Sequence, residues 1–161
     1  MLCPIIQKLS PNLPANILSD AKNMSEVYFY LYLFENSLRK FIIDKIGKDD
    51  PNWWEKKVGK TVIKNAENRI KQEDKNKWHS KRGQHPIYYT DISDLKSIIS
   101  TCWSDVKDFL PSQEWLIQRI DEIELSRNIV AHNNPLSQDD FDRVKLYFRD
   151  WIKQINNLDR A

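Results

Sequence analysis

Only three glycines, Gly47, Gly59 and Gly83, punctuate a chain of 161 residues. Glycine reaches left-handed backbone conformations without steric cost and lets the main chain approach a ligand closely. A dinucleotide-binding α/β unit or a phosphate-cradling loop draws on it repeatedly, and a β-sandwich needs it at turns. Its scarcity argues against all three. What the chain offers instead is apolar residues recurring at three- and four-residue steps, the mark of helices that bury one face. Its length suits one domain, and with 40% apolar and 30% charged residues it can build a core. The expected fold is all-α, an antiparallel bundle of four to five helices.

Three of the seven prolines, Pro4, Pro11 and Pro14, fall in residues 1–19, which read as an extended arm or linker ahead of a helical domain at 20–161. Ser19 or Asp20 can cap the first helix, whose core stripe is Val27, Leu31, Phe34, Leu38, Phe41 and Ile42 and whose end is Gly47. A second helix opens at Pro51 or Asn52 and runs toward Trp78, with Gly59 as the candidate break. Residues 80–86 read as a loop and Ile87-Tyr88-Tyr89 as a short extended piece. Thr90 or Asp91 caps a short third helix, and Ser104 begins a brief turn to Phe109. Ser112 caps a fourth helix with Trp115, Leu116, Ile120, Ile123, Ile129 and Val130 as packing positions. It stops at His132-Asn133-Asn134-Pro135, because a residue before proline avoids the helical region. Ser137 with Asp140 caps a fifth helix, packed through Phe141, Val144, Leu146, Phe148, Trp151, Ile152 and Ile155. Trp103, Trp115 and Trp151 sit among apolar positions and read as core. Trp53 and Trp54 are adjacent, so one of them is expected at an interface rather than in the same core groove.

The net charge of +2 hides an uneven distribution: residues 48–82 carry +5 while residues 83–161 carry −4. A basic element of this kind suits a polyanion; the plain alternative is a solvated helix with a lysine-rich outer face. Cys3 and Cys102 make neither a disulfide framework nor a zinc quartet, which suits a reducing cytoplasm. No apolar run is long enough to cross a bilayer and no basic-then-apolar leader opens the sequence, so no membrane partner is expected.

Nucleophile elbows, paired Cys-x-x-Cys motifs and calcium loops are absent, and the three histidines are too scattered for a metal site. His79 and His85 read as surface residues. His132 differs in its setting, because Arg127 and Asn128 precede it on the fourth helix. Five residues on an ideal helix put Arg127 and His132 about 140° apart. If the last turn unwinds before Pro135, however, His132 can swing toward the arginine. A permanent cation, an amide and a titratable base together suit phosphodiester cleavage. The alternative is that histidine merely caps the helix.

Arg127-Asn128-x-x-Ala131-His132, followed by Asn133-Asn134-Pro135-Leu136-Ser137 and an amphipathic helix, resembles the HEPN superfamily (higher eukaryotes and prokaryotes nucleotide-binding domains). Residues 33–42 (LFENSLRKFI) are similar to the superfamily's first helix and residues 50–58 (DPNWWEKKV) to the start of its second. Residues 85–99 (HPIYYTDISDLKSII) resemble the branch found in transcription-associated RNA endonucleases and in bacterial and phage-defence proteins. The resemblance spans about residues 24–157 and implies a ribonuclease without metal or other cofactor. Arg127 would contact the scissile phosphate, Asn128 would orient substrate or histidine, and His132 would be the general base or acid. Glu35 and Glu124 are supporting candidates that could pair with Arg127, against a reading as ordinary helix-surface charge. The resemblance also implies a homodimer in which two motifs face one cleft. Asn134 stands where the toxin branch carries a tyrosine, which argues against the toxin–antitoxin pairing in which that tyrosine is modified.

With RNA as the partner, Lys56, Lys57, Lys60, Lys64 and Arg82 would track its backbone, and Tyr88 would stack on unpaired bases. Two other readings stand beside the endonuclease. One is a catalytically silent HEPN module for dimerisation, RNA binding or partner binding. The other is a plain helical adaptor, for which a buried Arg127 salt-bridged to Glu35 would speak.

Overall fold

Pro14, held at φ −54° and ψ 142°, delivers an extended chain into the first helix, and its carbonyl accepts the first bonds, from the N–H groups of Ile17 and Leu18. The computed structural model describes residues 13–158. Helix α1 (Ala15–Ile46) therefore starts four residues ahead of the expected Ser19, so the C-terminal part of the supposed arm is helical; residues 1–12 lie outside the described residues. Along its 32 residues, Val27, Leu31, Phe34, Leu38, Phe41, Ile42 and Ile46 are buried at three- and four-residue steps. It stops at Gly47, where an added Cβ would lie 2.7 Å from the Trp53 indole nitrogen.

The second helix breaks into two at the candidate position, Gly59. Val58 and Gly59 are both extended, and they separate α2 (Trp53–Lys57) from α3 (Lys60–Asp74), which ends short of Trp78. Trp78 is consequently exposed. Residues 86–89 form a 3₁₀ turn (Pro86–Tyr89) rather than an extended piece, because Pro86 presets a helical φ and the His85 ring accepts the Ile87 N–H at 3.1 Å. Asp91 and Asp94 close a reciprocal capping box on α4 (Ile92–Thr101). Helix α5 (Trp103–Val106) and a second 3₁₀ turn (Lys107–Phe109) lead to α6 (Gln113–Ala131), capped by Ser112 as expected, and then α7 (Gln138–Leu158). Every regular element among the described residues is helical, so the fold is all-α, with seven α-helices in place of four to five.

Helix α7 packs on α1 and α6, α6 also packs on α1 and α4, and the 3₁₀ turn lies on α3. Trp151 of α7 is fully buried, with its ring edge-on to Phe41 at 5.3 Å and Phe34 at 6.1 Å. Its indole N–H donates to Ser37 Oγ at 2.8 Å, so the polar end of the ring is also satisfied. Trp103 and Trp115 are only partly buried against this core, while Ile129 and Leu146, expected to pack, are exposed.

Trp53 and Trp54 are both buried, contrary to the expectation that one would face outward. Helix α2 is a single turn, and both indoles close on His85. Trp53 stacks on the imidazole at 5.4 Å and 6°, and Trp54 meets it edge-on at 5.5 Å. His85 is thus half-buried rather than a surface residue. Burial holds its pKa below the usual histidine value against the opposing pull of Glu55.

Trp151→Ala should cost about 3–5 kcal/mol in urea unfolding, and Ser37→Ala about 1–3 kcal/mol by stranding the indole N–H. As pH falls below about 6.5, the unfolded chain takes up a proton at His85 that the folded chain resists, so stability should fall from pH 7 to pH 5. His85→Asn keeps an acceptor for the Ile87 N–H; it should show a shallower pH dependence of the urea midpoint, and an unchanged slope would refute the assignment.

Candidate functional site

One stripe of α1 beside its core face, including Tyr28, Tyr32, Glu35 and Arg39, runs at helical spacing along a cleft of about 1240 Å³. The other walls come from the 3₁₀ turn and the residues after it, through Tyr88, Thr90 and Asp91, and from the end of α6, through Arg127, Val130 and Asn133. Arg39 fixes the first junction. Its buried guanidinium donates to the carbonyls of Thr90 at 2.9 Å and Ile87 at 3.3 Å and to Asn36 Oδ1 at 3.2 Å, and it also pairs with Glu35. Arg69 fixes the second from α3, reaching Tyr89 O at 2.8 Å, Asp91 at 2.6 Å and the buried Asp94 at 2.5 Å. Arg82 pairs with Glu73 at 2.6 Å beside the same cleft.

Arg127 is the exception among these four cationic side chains. Half-buried on the last full turn of α6, it makes one side-chain hydrogen bond, to Asn128 Oδ1 at 3.3 Å, and no carboxylate among the described residues pairs with it. Its field still reaches Asp91. Burial raises the pKa of that carboxyl, but hydrogen bonds from Ser93 and the Asp94 N–H and the charges of Arg69 and Arg127 outweigh burial and hold it below the usual carboxylate value.

Helix α6 does not unwind early. It runs to Ala131, His132 is the cap at φ −93°, and Asn133 turns left-handed at φ 58°. The Asn133 N–H returns to Val130 O at 2.9 Å and the Asn134 N–H to Ile129 O at 3.2 Å, which is a Schellman closure. Asparagine suits the left-handed position, so the Asn-Asn-Pro run ends the helix by this closure as well as by the proline. His132 is therefore left exposed at the helix end. Its neighbours Ala131 and Asn133 line the cleft, but it does not, and no hydrogen bond joins it to Arg127.

The other sequence candidates divide. Glu35, Arg82 and Tyr88 line the cleft, although Glu35 pairs with Arg39 and not with Arg127. Glu124 lies 3.8 Å from Lys96 and away from the cleft. Lys56 pairs with Asp50 and Lys57 with Asp105, each at 2.8 Å, and neither they nor the exposed Lys60 and Lys64 reach the cleft wall. The basic segment enters the cleft through Arg69 and Arg82 instead. Gly83 lies behind one of the lining residues: a Cβ on it would stand 2.7 Å from the Tyr88 ring.

Sequence reasoning missed Arg39, Arg69, Tyr28 and Tyr32. The available signal was a second stripe on the first helix, Tyr28, Tyr32, Glu35 and Arg39, parallel to the apolar one and spaced alike. No helix among the described residues is long and apolar enough to cross a membrane. No curated protein and no solved structure matches the chain. Residues 30–156, which contain the Arg39 clamp, the cleft-lining turn and the Arg127–His132 segment, match the Swt1-like HEPN family, and the chain belongs to it.

Proposed function

We propose that this HEPN domain is an endoribonuclease that needs no metal, acting in RNA processing or phage defence. The observation that carries the reading is Arg127, a guanidinium without a carboxylate partner among the described residues, in a cleft lined by three more arginines and three tyrosines. A permanent cation left uncompensated in a concave site suits a phosphate. The pairing that would have favoured a plain adaptor, a buried Arg127 bridged to Glu35, is replaced by Glu35–Arg39.

The chemistry assigned to the site is intramolecular transfer at phosphorus. His132 takes the proton of a ribose 2′-hydroxyl, and O2′ forms a bond to phosphorus. The bond from phosphorus to O5′ breaks, and an imidazolium returns a proton to O5′. The products are a 2′,3′-cyclic phosphate and a 5′-hydroxyl. Arg127 stabilises the added charge on the phosphorane oxygens, and Asn128, bonded to Arg127, orients it. Because His132 stands outside the cleft of its own chain, two copies meeting along α6 would bring base and cation to one substrate. The exposed Leu125 and Ile129, one turn apart on that helix, support such a contact.

His132 outside the cleft also favours a second reading, a silent HEPN module that binds RNA or a partner without cutting. One experiment separates the two. Wild type should cleave single-stranded RNA in EDTA to cyclic-phosphate ends, and His132→Ala should lower the rate by about 10²–10⁴-fold with folding retained by circular dichroism. Salt-sensitive RNA binding with no cleavage by folded wild type would favour the silent module.

A further inference from the structure

Tyr28 and Tyr32 play no part in the reaction assigned above. They stand one turn apart on α1, 60% and 55% exposed, with ring centroids 6.0 Å apart and planes tilted by 42°. Both line the cleft that holds Arg127, together with Tyr88 from the 3₁₀ turn. Neighbouring aromatic rings are seldom left facing water without a use, and here they share a hollow with a cation that lacks a carboxylate partner among the described residues. Four arginines line the hollow against three carboxylates, Asp20, Glu35 and Asp91, and two of those three are already held by Arg39 and Arg69.

Flat apolar faces beside an uncompensated guanidinium match two parts of one ligand, an unpaired base and its phosphate. A duplex matches only the second, because its bases are already stacked on one another. At about 1240 Å³ the cleft exceeds the size of small-molecule pockets, which suits a length of polymer better than a free nucleotide. The tilt between the rings means they do not form one continuous platform. Successive bases would be splayed, each on its own ring, which a flexible single strand tolerates.

We infer that Tyr28 and Tyr32 are the base-stacking residues of the cleft, each taking an unpaired base of the RNA strand while Arg127 holds an adjacent phosphate. The inference rests on the ribonuclease reading for its ligand class, and it adds which residues take the unpaired bases. Tyr88, packed against Gly83, offers a third ring to the same strand.

The test is fluorescence anisotropy with a labelled oligoribonucleotide in three forms: single-stranded, annealed to its complement, and single-stranded but abasic. The full chain is used in a His132→Ala background, so that the probe stays intact. The single strand should bind more tightly than the duplex. Replacing both tyrosines, Tyr28→Ala with Tyr32→Ala, should weaken single-strand binding by about tenfold or more while leaving the abasic strand unaffected. Replacing both by phenylalanine keeps the rings and should keep the affinity. Arg127→Ala should weaken all three probes and reduce the salt dependence by about one phosphate contact. Equal single-strand binding by the alanine pair and the parent, with the Arg127 effect intact, would overturn the stacking and leave the ribonuclease reading standing. Failure of the parent to bind any of the probes would remove both. If the alanine pair alters the molar mass in light scattering without RNA, the rings belong to a contact between copies and the inference falls.

Discussion

The architecture of the cleft depends on a cation taken almost out of water. Arg39 is 9% exposed, and a guanidinium so placed destabilises the fold unless its donors are met. They are met by groups on two elements: Glu35 and Asn36 on its own helix, and the Ile87 and Thr90 carbonyls at the far end of the 3₁₀ turn. The turn is too short to dock through apolar burial alone, contributing only Ile87 and Tyr89 to the core. A planar fork that binds main-chain carbonyls gives the docking a direction, which a lysine could not reproduce. Arg69 repeats the device from α3 on residues 89–94. Held by two guanidiniums, this segment turns Tyr88 toward the space beside α1 and creates one wall of the cleft.

The other decisive place is the end of α6. A Schellman closure fixes where the helix stops and leaves His132 as its exposed cap outside the cleft, while Arg127, within the helix, lies inside it. The two residues that the sequence resemblance joins are thus on different sides of the helix end. Their division is compatible with the pairing of two chains proposed above, in which each copy supplies what the other's cleft lacks.

Much of the scaffold was legible because it follows from local rules. The stripe from Val27 to Ile42, the caps at Asp91 and Ser112 and the buried Trp151 are each dictated by spacing or by a single side chain. What escaped was decided by long-range contact. Its neighbours Glu35 and Asn36 do not make Arg39 a core residue; the Ile87 and Thr90 carbonyls that it also binds lie 48 and 51 positions away. Trp53 and Trp54 were misjudged because helical geometry puts neighbours on different faces, and a one-turn helix pressed against His85 has no free face. Lys56 and Lys57 follow the rule for surface charge, pairing with Asp50 and Asp105, whereas the cleft draws on arginines. Arg127 was legible from its motif, but its lack of a carboxylate partner was not, since that depends on Glu35 being taken by Arg39.

Gly83 gives the cleft an unusual determinant, an atom that is missing. The Tyr88 ring rests where a side chain at position 83 would begin, with ring carbons 2.7 and 2.9 Å from the place of a Cβ. The seat of that ring, and so the shape of one stretch of the wall, is therefore written into the loop after α3, the segment that also lends Arg82 to the lining. A larger residue at this one loop position would push the Tyr88 ring from its seat and reshape the wall, leaving the buried clamps and the helix ends as they are.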